Sequence, residues 1–120
     1  MNLPHLPPIR FAKEILTFKD KRASVLCEFP CLSTLPMLTE AAAQASSAFA
    51  KSDTPQNGFL VLIKDVVLHV KVQSLTCVIM VEERLSLGNS SEFYFEVFEK
   101  EGGVMYANGS LMIVLEERGA

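Results

Sequence analysis

The sequence has few of the residues that build metal and disulfide sites: its 120 residues include three cysteines, two histidines and no tryptophan. Cys27 and Cys31 are close in sequence, but zinc takes about four ligands and no second cysteine pair is present. An odd number of cysteines without paired spacing also argues against a disulfide framework. We therefore expect reduced thiols in a cytoplasmic protein, with no metal and no cofactor.

Positive charge is scarce as well. The formal net charge is −3, and the one basic group, Lys19, Lys21 and Arg22, is interrupted by Asp20. Because nucleic-acid binding depends on a basic surface that neutralises phosphates, we expect no nucleic-acid partner.

Long apolar runs are absent too. Runs such as Phe59–Ile63 are far shorter than the roughly 20 residues of a membrane-spanning helix. Met1–Arg10 contains three prolines and lacks the apolar stretch of a secretory signal. The composition that remains, 49% hydrophobic and 21% charged, is that of an ordinary globular protein. We expect one domain over residues 1–120 and no membrane span.

The segment Met37–Lys51 predicts a helix. It contains no glycine or proline and is rich in alanine, the strongest helix former. Ser33 or Thr34 can cap its N-terminus, and Pro36 is tolerated in the first turn. Apolar residues occur on nearly every side, so we expect this helix to be buried on most sides.

Strand patterns lie on both sides of this helix. A turn at Lys19–Lys21 separates the first two strands, and the later connections are also short, which favours an antiparallel sheet. Asn108–Gly109 can form a hairpin turn or a bulge, and we interpret it as a bulge in one long final strand. The predicted strands are Ile9–Phe18, Arg22–Phe29, Phe59–Val72, Leu75–Leu87, Glu92–Glu99 and Val104–Leu115.

A sheet and a single apolar helix bury each other best when the twisted sheet curls around the helix. This is an α+β arrangement, the hotdog fold. The predicted strand Phe59–Val72, which is long and rich in Val, Ile and Leu, would leave an unprotected edge in a single chain. We therefore expect a homodimer or higher homo-oligomer whose sheets join edge to edge.

Several segments, in order, resemble the 3-hydroxyacyl-acyl-carrier-protein dehydratases of bacterial fatty-acid synthesis, members of the hotdog dehydratase and thioesterase superfamily. Leu3–Leu16 is similar to their opening, Pro-His-Arg-x-Pro-Phe followed by Asp-Arg-Val-Leu. Glu40–Ala45, Glu-Ala-Ala-Ala-Gln-Ala, is similar to Glu-Ala-x-Ala-Gln-Ala of their central helix. Lys21–Ala23 and Ile63–Val66 fall where the family has shorter motifs. The resemblance implies the hotdog fold and acyl-CoA or acyl-carrier-protein thioesters as substrates in fatty-acid metabolism.

The family's catalytic loop is not matched. The dehydratases use a His in a Gly-His-Phe-Pro-Gly loop together with the helix Glu. Here Glu28 stands in place of that His, no glycine follows Pro30, and the stretch from Lys21 to Glu40 is shorter. The resemblance therefore carries over Glu40 and, more loosely, Gln44, but no His/Glu pair.

Glu40 is the candidate catalytic residue. A carboxyl on an apolar helix can serve as a general base, or as a general acid once protonated. The alternative is a surface carboxylate near the helix N-terminus, where the helix dipole favours negative charge.

Gln44, Cys31 and His5 are candidate substrate-binding residues. A Cys31 thiolate near a helix N-terminus could be activated, but no base is placed beside it, and a cysteine such as Cys27 in a strand is usually core. In the related family the His at the position of His5 has a structural role. Because this chain lacks the loop His, His5 could instead approach the site.

Two functions fit these residues. The first is an enzyme, dehydratase-like or a thioesterase, acting on acyl-CoA or acyl-carrier-protein thioesters with Glu40. The second is a non-catalytic acyl-thioester or acyl-carrier-protein binding protein. A second polar group converging on Glu40, such as His5, Cys31 or Asn57, would favour catalysis.

Overall fold

The computed structural model describes residues 10–49, 58–101 and 103–115. Its six strands form one antiparallel sheet in the order β1-β2-β4-β5-β6-β3, and the helix α1 packs on one face of it. We call this the inner face. The elements are β1 (Ala12–Lys19), β2 (Arg22–Glu28), α1 (Leu35–Ala45), a 3-10 turn (Ser46–Phe49), β3 (Gly58–Leu68), β4 (Thr76–Leu87), β5 (Ser90–Glu99) and β6 (Met105–Leu115). The predicted antiparallel sheet with one packed helix is confirmed.

The ends of α1 follow from local hydrogen bonds. Thr34 is the N-cap, and its Oγ1 accepts from the Met37 amide at 3.5 Å. At the other end the Ser46 hydroxyl donates to the Ala43 carbonyl at 2.6 Å, and the chain tightens into the 3-10 turn. The α-helix therefore ends earlier than predicted, because serine hydroxyls compete with the helical hydrogen-bond ladder. The rest of the predicted helix, Ala50 and Lys51, lies outside the described residues.

One stripe of α1 is buried and the opposite side is open. Leu38, Ala42 and Ala45 are at most 1% exposed, whereas Pro36 and Glu40 are exposed. The other residues of α1 are buried or half-buried, so the helix is covered on most sides, as expected, and only the side of Pro36 and Glu40 is open.

The core is built from alternate residues of the central strands. These inner-face residues are Ala23, Val25 and Cys27 of β2, Cys77, Ile79 and Val81 of β4, and Phe93, Phe95 and Val97 of β5. Polar side chains occupy the outer face, where Arg22 and Arg84 both pair with Glu82 at 2.8 and 2.6 Å. Phe93 and Phe95 place their rings in this core, at 4% and 0% exposure.

The last strand is continuous through Asn108 and Gly109, as predicted, but the bulge at this point lies in the neighbouring strand. Asp65 and Val66 of β3 together oppose Gly109 of β6. Asp65 has a φ of 54°, in the left-handed region. A Cβ on Gly109 would lie 2.5 Å from Val66 Cγ2 and 2.9 Å from Val66 Cα, so only glycine fits under the bulge.

We expect Ala45→Leu to destabilise the fold by about 1–3 kcal/mol, because Ala45 is 1% exposed and a larger side chain overpacks the helix against the sheet. Urea denaturation measures the change. Ala43→Leu, on a half-buried position of the same helix, is the control and should cost less. Equal stability of parent and Ala45→Leu would contradict this packing.

We expect Gly109→Ala to destabilise the fold by about 1–3 kcal/mol, because its methyl group would meet the Val66 backbone, which cannot rotate away. Thermal unfolding checks this. The double variant Val66→Ala/Gly109→Ala removes the contact with Cγ2 but not the contact with Cα, so it should recover little of the loss. Full recovery in the double variant would show that the backbone contact is unimportant.

Candidate functional site

Glu40 lies on the open side of α1, in its second turn. Its side chain is exposed, and it forms no hydrogen bond or ion pair with the part of the chain that the structure describes. The enclosed position expected from the apolar sequence around it is therefore not formed by one chain. The carboxylate is available to a ligand or to a second subunit.

Gln44 lies one turn after Glu40 and ties the helix to the first strand. Its Oε1 accepts from the backbone amides of Phe11 at 2.7 Å and Ala12 at 3.1 Å. This side-chain oxygen therefore satisfies two donors at the start of β1, which is a structural role that the sequence did not indicate. A substrate-binding role for Gln44 stays a prediction.

A small cleft lies between β1 and the helix at this tie. Its volume is about 80 Å³, room for a few water molecules at about 30 Å³ each. Ligand sites for molecules of ordinary size occupy roughly 300–1,000 Å³. This cleft is therefore too small to hold an acyl chain. It is lined by Arg10, Ala12, Lys13, Glu14, Ile15, Val25, Gln44 and Ala45.

The cysteines divide into a buried pair and an exposed residue. Cys27 and Cys77 face each other across β2 and β4, and both are buried. Contact with the Cys27 thiol, together with burial, raises the pKa of Cys77, so the reactive thiolate is disfavoured there. The expected core role of Cys27 is confirmed. Cys31 is exposed in the loop between β2 and α1, and its assignment to substrate stays a prediction.

The histidines do not complete a catalytic pair within the described residues. His5 lies outside them, as does Asn57. His69 is exposed, and its Nε2 lies 2.7 Å from Asn108 Oδ1. Asn108 also donates to the Tyr94 hydroxyl at 3.0 Å. This hydrogen-bond chain lies on the outer face of the sheet, away from α1, because Asn108 alternates with buried neighbours.

One polar atom in the loop before the helix has no partner. Ser33 Oγ is buried and lacks a hydrogen bond among the described residues. It lies between Cys31 and the N-cap Thr34, in the loop between β2 and α1. Unsatisfied buried hydroxyls are uncommon in proteins, so Ser33 joins the candidate ligand-binding residues. The sequence had indicated it only as a possible cap.

The apolar part of the site was also missed from the sequence. On β3, Ile63 is opposite Leu111 and Leu68 is opposite Ala107. Directly opposed residues share a face, so all four point to the inner face. Leu111 and Ala107 are buried, yet Ile63 and Leu68 are 49% and 43% exposed. We call Ile63 and Leu68 the inner β3 strip.

The strip is open because β3 is an edge strand and α1 packs on β1, β2, β4 and β6 instead. Periodicity within a strand shows which residues share a face. It does not show which strand lies at the edge. The open edge was expected only from the length and apolar character of Phe59–Val72.

Two further kinds of feature, a metal site and a membrane-spanning helix, are absent from the described residues. No group of three or more His, Cys, Asp or Glu side chains is placed to hold a metal ion. No helix in these ranges is long and apolar enough to cross a membrane.

Solved structures similar to this one include a chain of the dehydratase heterocomplex ApeI:P from Xenorhabdus doucetiae, with a TM-score of 0.79, 16% identity, and coverage of 97% of this chain and 89% of that one. A thioesterase from Haemophilus influenzae has a TM-score of 0.68 at 11% identity, covering 89% and 82%. The putative thioesterase yhdA from Lactococcus lactis has a TM-score of 0.67 at 12% identity, covering 91% of this chain and 94% of that one.

No family model and no curated protein matches the sequence. The structural likeness alone establishes the hotdog fold, in which these dehydratases and thioesterases are built. The fold expected from the sequence is thereby confirmed.

We expect Gln44→Ala to destabilise the protein by about 1–3 kcal/mol, because the amides of Phe11 and Ala12 lose their acceptor. Hydrogen exchange of these two amides, with urea denaturation, measures the effect. Gln44→Glu keeps an acceptor oxygen and is the matched control, with stability near that of the parent. Unchanged exchange in Gln44→Ala would contradict the structural role.

Proposed function

We propose that this protein binds and processes acyl thioesters, as a dehydratase-like enzyme or a thioesterase acting on acyl-CoA or acyl-carrier-protein substrates. The observation that carries the proposal is that two features on the helix side of the sheet are exposed. One is the exposed carboxylate of Glu40, and the other is the uncovered inner β3 strip. A thioester needs both kinds of surface, a polar group for its carbonyl and an apolar strip for its chain.

The inner β3 strip suits an acyl chain because it is apolar and otherwise unpartnered among the described residues. Each methylene removed from water contributes about 0.8 kcal/mol. A chain lying between Ile63, Leu68 and the side of α1 would also cover apolar surface of the protein. The small cleft beside Gln44 offers no such length.

Glu40 supplies the chemistry in this proposal. Its carboxylate can take a proton from water as the water attacks the thioester carbonyl, or take the α-proton of a hydroxyacyl group during dehydration. The protonated carboxyl can then return the proton to the leaving thiolate or hydroxyl. Glu40 is the candidate catalytic residue, and its side chain is exposed on the helix.

A second subunit completes the site. β3 is an edge strand with apolar side chains that are 43–49% exposed: Leu62, Ile63, Val67 and Leu68. Exposed apolar edges favour strand addition from another chain. Joining two copies along β3 would bring the partner over the open side of α1 and exclude water there. We therefore propose a homodimer.

A second candidate is a binding subunit without its own catalysis. The loop between β2 and α1 contains no histidine, and one similar structure is described as a dehydratase heterocomplex. In that arrangement this chain would contribute Glu40 and the inner β3 strip, and a different hotdog subunit would contribute a histidine.

The free thiols of Cys27, Cys31 and Cys77 support a reducing, cytoplasmic location.

We expect Glu40→Gln to lower turnover of acyl-CoA and 3-hydroxyacyl thioesters by at least about 100-fold, because it removes the proton acceptor and keeps the shape. Ligand affinity and the fold should change little. Glu101→Gln, in the β5–β6 turn, is the matched control and should retain full turnover. Unchanged turnover in Glu40→Gln would move the chemistry to another residue.

The parent protein separates the two candidate functions. Turnover without any added protein supports the enzyme. Acyl binding without turnover supports the binding subunit, and an acyl chain found by mass spectrometry of the purified protein would identify its ligand class. If the parent protein shows neither turnover nor acyl binding, both candidate functions are contradicted.

A further inference from the structure

The first strand, β1, forms the edge of the sheet opposite to β3. Its residues 13–19 are all exposed, and three of them are large and apolar: Ile15 is 53%, Leu16 46% and Phe18 50% exposed. Adjacent strands are about 4.8 Å apart, so β1 lies about 24 Å from β3 across the sheet. A second copy joined along β3 would therefore leave these three side chains uncovered.

A bulge in β1 brings two of these side chains to the same face. Ile15 is opposite Val25 and Phe18 is opposite Ala23, and both partners are buried in the core. In a regular strand, residues three apart point to opposite faces. The extra residue of the bulge between them restores the alternation, so both point to the inner face. The ring of Phe18 accordingly contacts Phe49 of the 3-10 turn, with 5.0 Å between the ring centroids.

The edge is protected against the addition of another strand. A second bulge has Lys13 as its extra residue, and Lys19 ends the strand. Bulges and edge lysines are the means by which sheets avoid pairing with strands of other chains. They do not account for large apolar side chains on the same edge, because polar residues would protect it better. Neighbouring apolar side chains that stay exposed mark a surface that contacts another molecule.

Positive charge surrounds this apolar edge, although the chain as a whole has a net charge of −3. Residues 10–21 contain two acids and four cations. None of the cations forms an ion pair with a described residue. An anionic surface therefore attracts this edge and repels the rest of the protein. The acids are Glu14 and Asp20, and the cations, all exposed, are Arg10, Lys13, Lys19 and Lys21.

Exposed side chains occur on both faces of this edge. Ile15 and Phe18 point to the inner face, whereas Lys19 is opposite Arg22 and points to the outer face. A groove in a partner protein would contact one face, but the interfacial region of a bilayer surrounds an inserted edge. Apolar side chains enter it, and lysine stems extend so that their ammonium groups reach the phosphates. Cytoplasmic leaflets supply the anionic lipids.

We propose that the β1 edge binds the surface of an anionic lipid bilayer, with Ile15, Leu16 and Phe18 in the interfacial region and the four cations at the lipid phosphates. This inference goes beyond the proposed function and does not rest on it. Long acyl chains partition into bilayers because of the hydrophobic effect. A protein held at this surface would meet such chains where they accumulate.

Co-sedimentation with vesicles tests the binding. The parent protein should sediment with vesicles of equal amounts of phosphatidylglycerol and phosphatidylcholine, and little with phosphatidylcholine alone. Lys13→Glu/Lys19→Glu should weaken binding about 20-fold or more, since each cation near an anionic surface strengthens binding about fivefold. Lys71→Glu/Lys100→Glu makes the same change of charge at exposed lysines outside β1. This matched control should lose much less affinity.

Tryptophan fluorescence tests which part of the protein enters the bilayer. The chain contains no tryptophan, so Phe18→Trp introduces a single one. Its emission should shift to the blue and be quenched by brominated phosphatidylcholine in the anionic vesicles. Ile15→Trp repeats the measurement without altering the contact between Phe18 and Phe49. Val104→Trp, at an exposed position between β5 and β6, is the control and should not be quenched.

The remaining outcomes also decide the matter. Equal sedimentation with both kinds of vesicle, sedimentation with neither, or binding that Lys13→Glu/Lys19→Glu leaves unchanged would each overturn the inference. So would quenching of Val104→Trp as strong as that of Phe18→Trp. A parent protein that binds a synthetic acidic helical peptide at this edge, but no vesicles, would identify a protein-docking site instead. The proposed function is unaffected by these results, because Glu40→Gln is assayed with acyl-CoA in solution.

Discussion

One helix of 11 residues has to cover one face of a six-stranded sheet, and it cannot. Adjacent strands lie about 4.8 Å apart, so the sheet extends about 24 Å from β1 to β3, whereas a helix with its side chains is about 10 Å wide. The side chain of Gln44 draws the helix towards β1. Apolar side chains stay exposed at both edges of the sheet, Ile15 and Phe18 on β1 and the inner β3 strip on β3. The candidate site and the proposed subunit contact both follow from this mismatch.

The helix, all six strands and the antiparallel arrangement were predictable from the sequence, because each depends on local periodicity and on turn residues. Thr34 as the cap and the continuous last strand were also predictable. The exposure of Glu40 was only one of two alternatives, since an apolar helix sequence does not reveal which of its sides a single sheet can reach. The structural role of Gln44 depends on contact with Phe11, 33 residues away in sequence, and no local pattern encodes such a contact.

The bulge shows a similar limit. Asn108–Gly109 correctly indicated an irregularity, but the extra residue is in β3, where Asp65 and Val66 cross over Gly109. A glycine in a strand marks a close approach of backbone without showing which strand approaches. For the chemistry, sequence reasoning led to Glu40 through resemblance, and the structure adds the exposed apolar side chains of the inner β3 strip.

The strand order also constrains how the chain folds. β1 with β2, β4 with β5, and β5 with β6 are neighbours in sequence and can form as local hairpins, whereas β3 pairs only with β6, across two intervening strands. Contacts between distant segments form more slowly, because they close longer loops. β3 is therefore expected to join the sheet late in folding. Until it does, Gly109 and its neighbours on β6 form a temporary edge, and β3, which is synthesised before β6, has no partner, so both strands are exposed to misassociation before folding is complete.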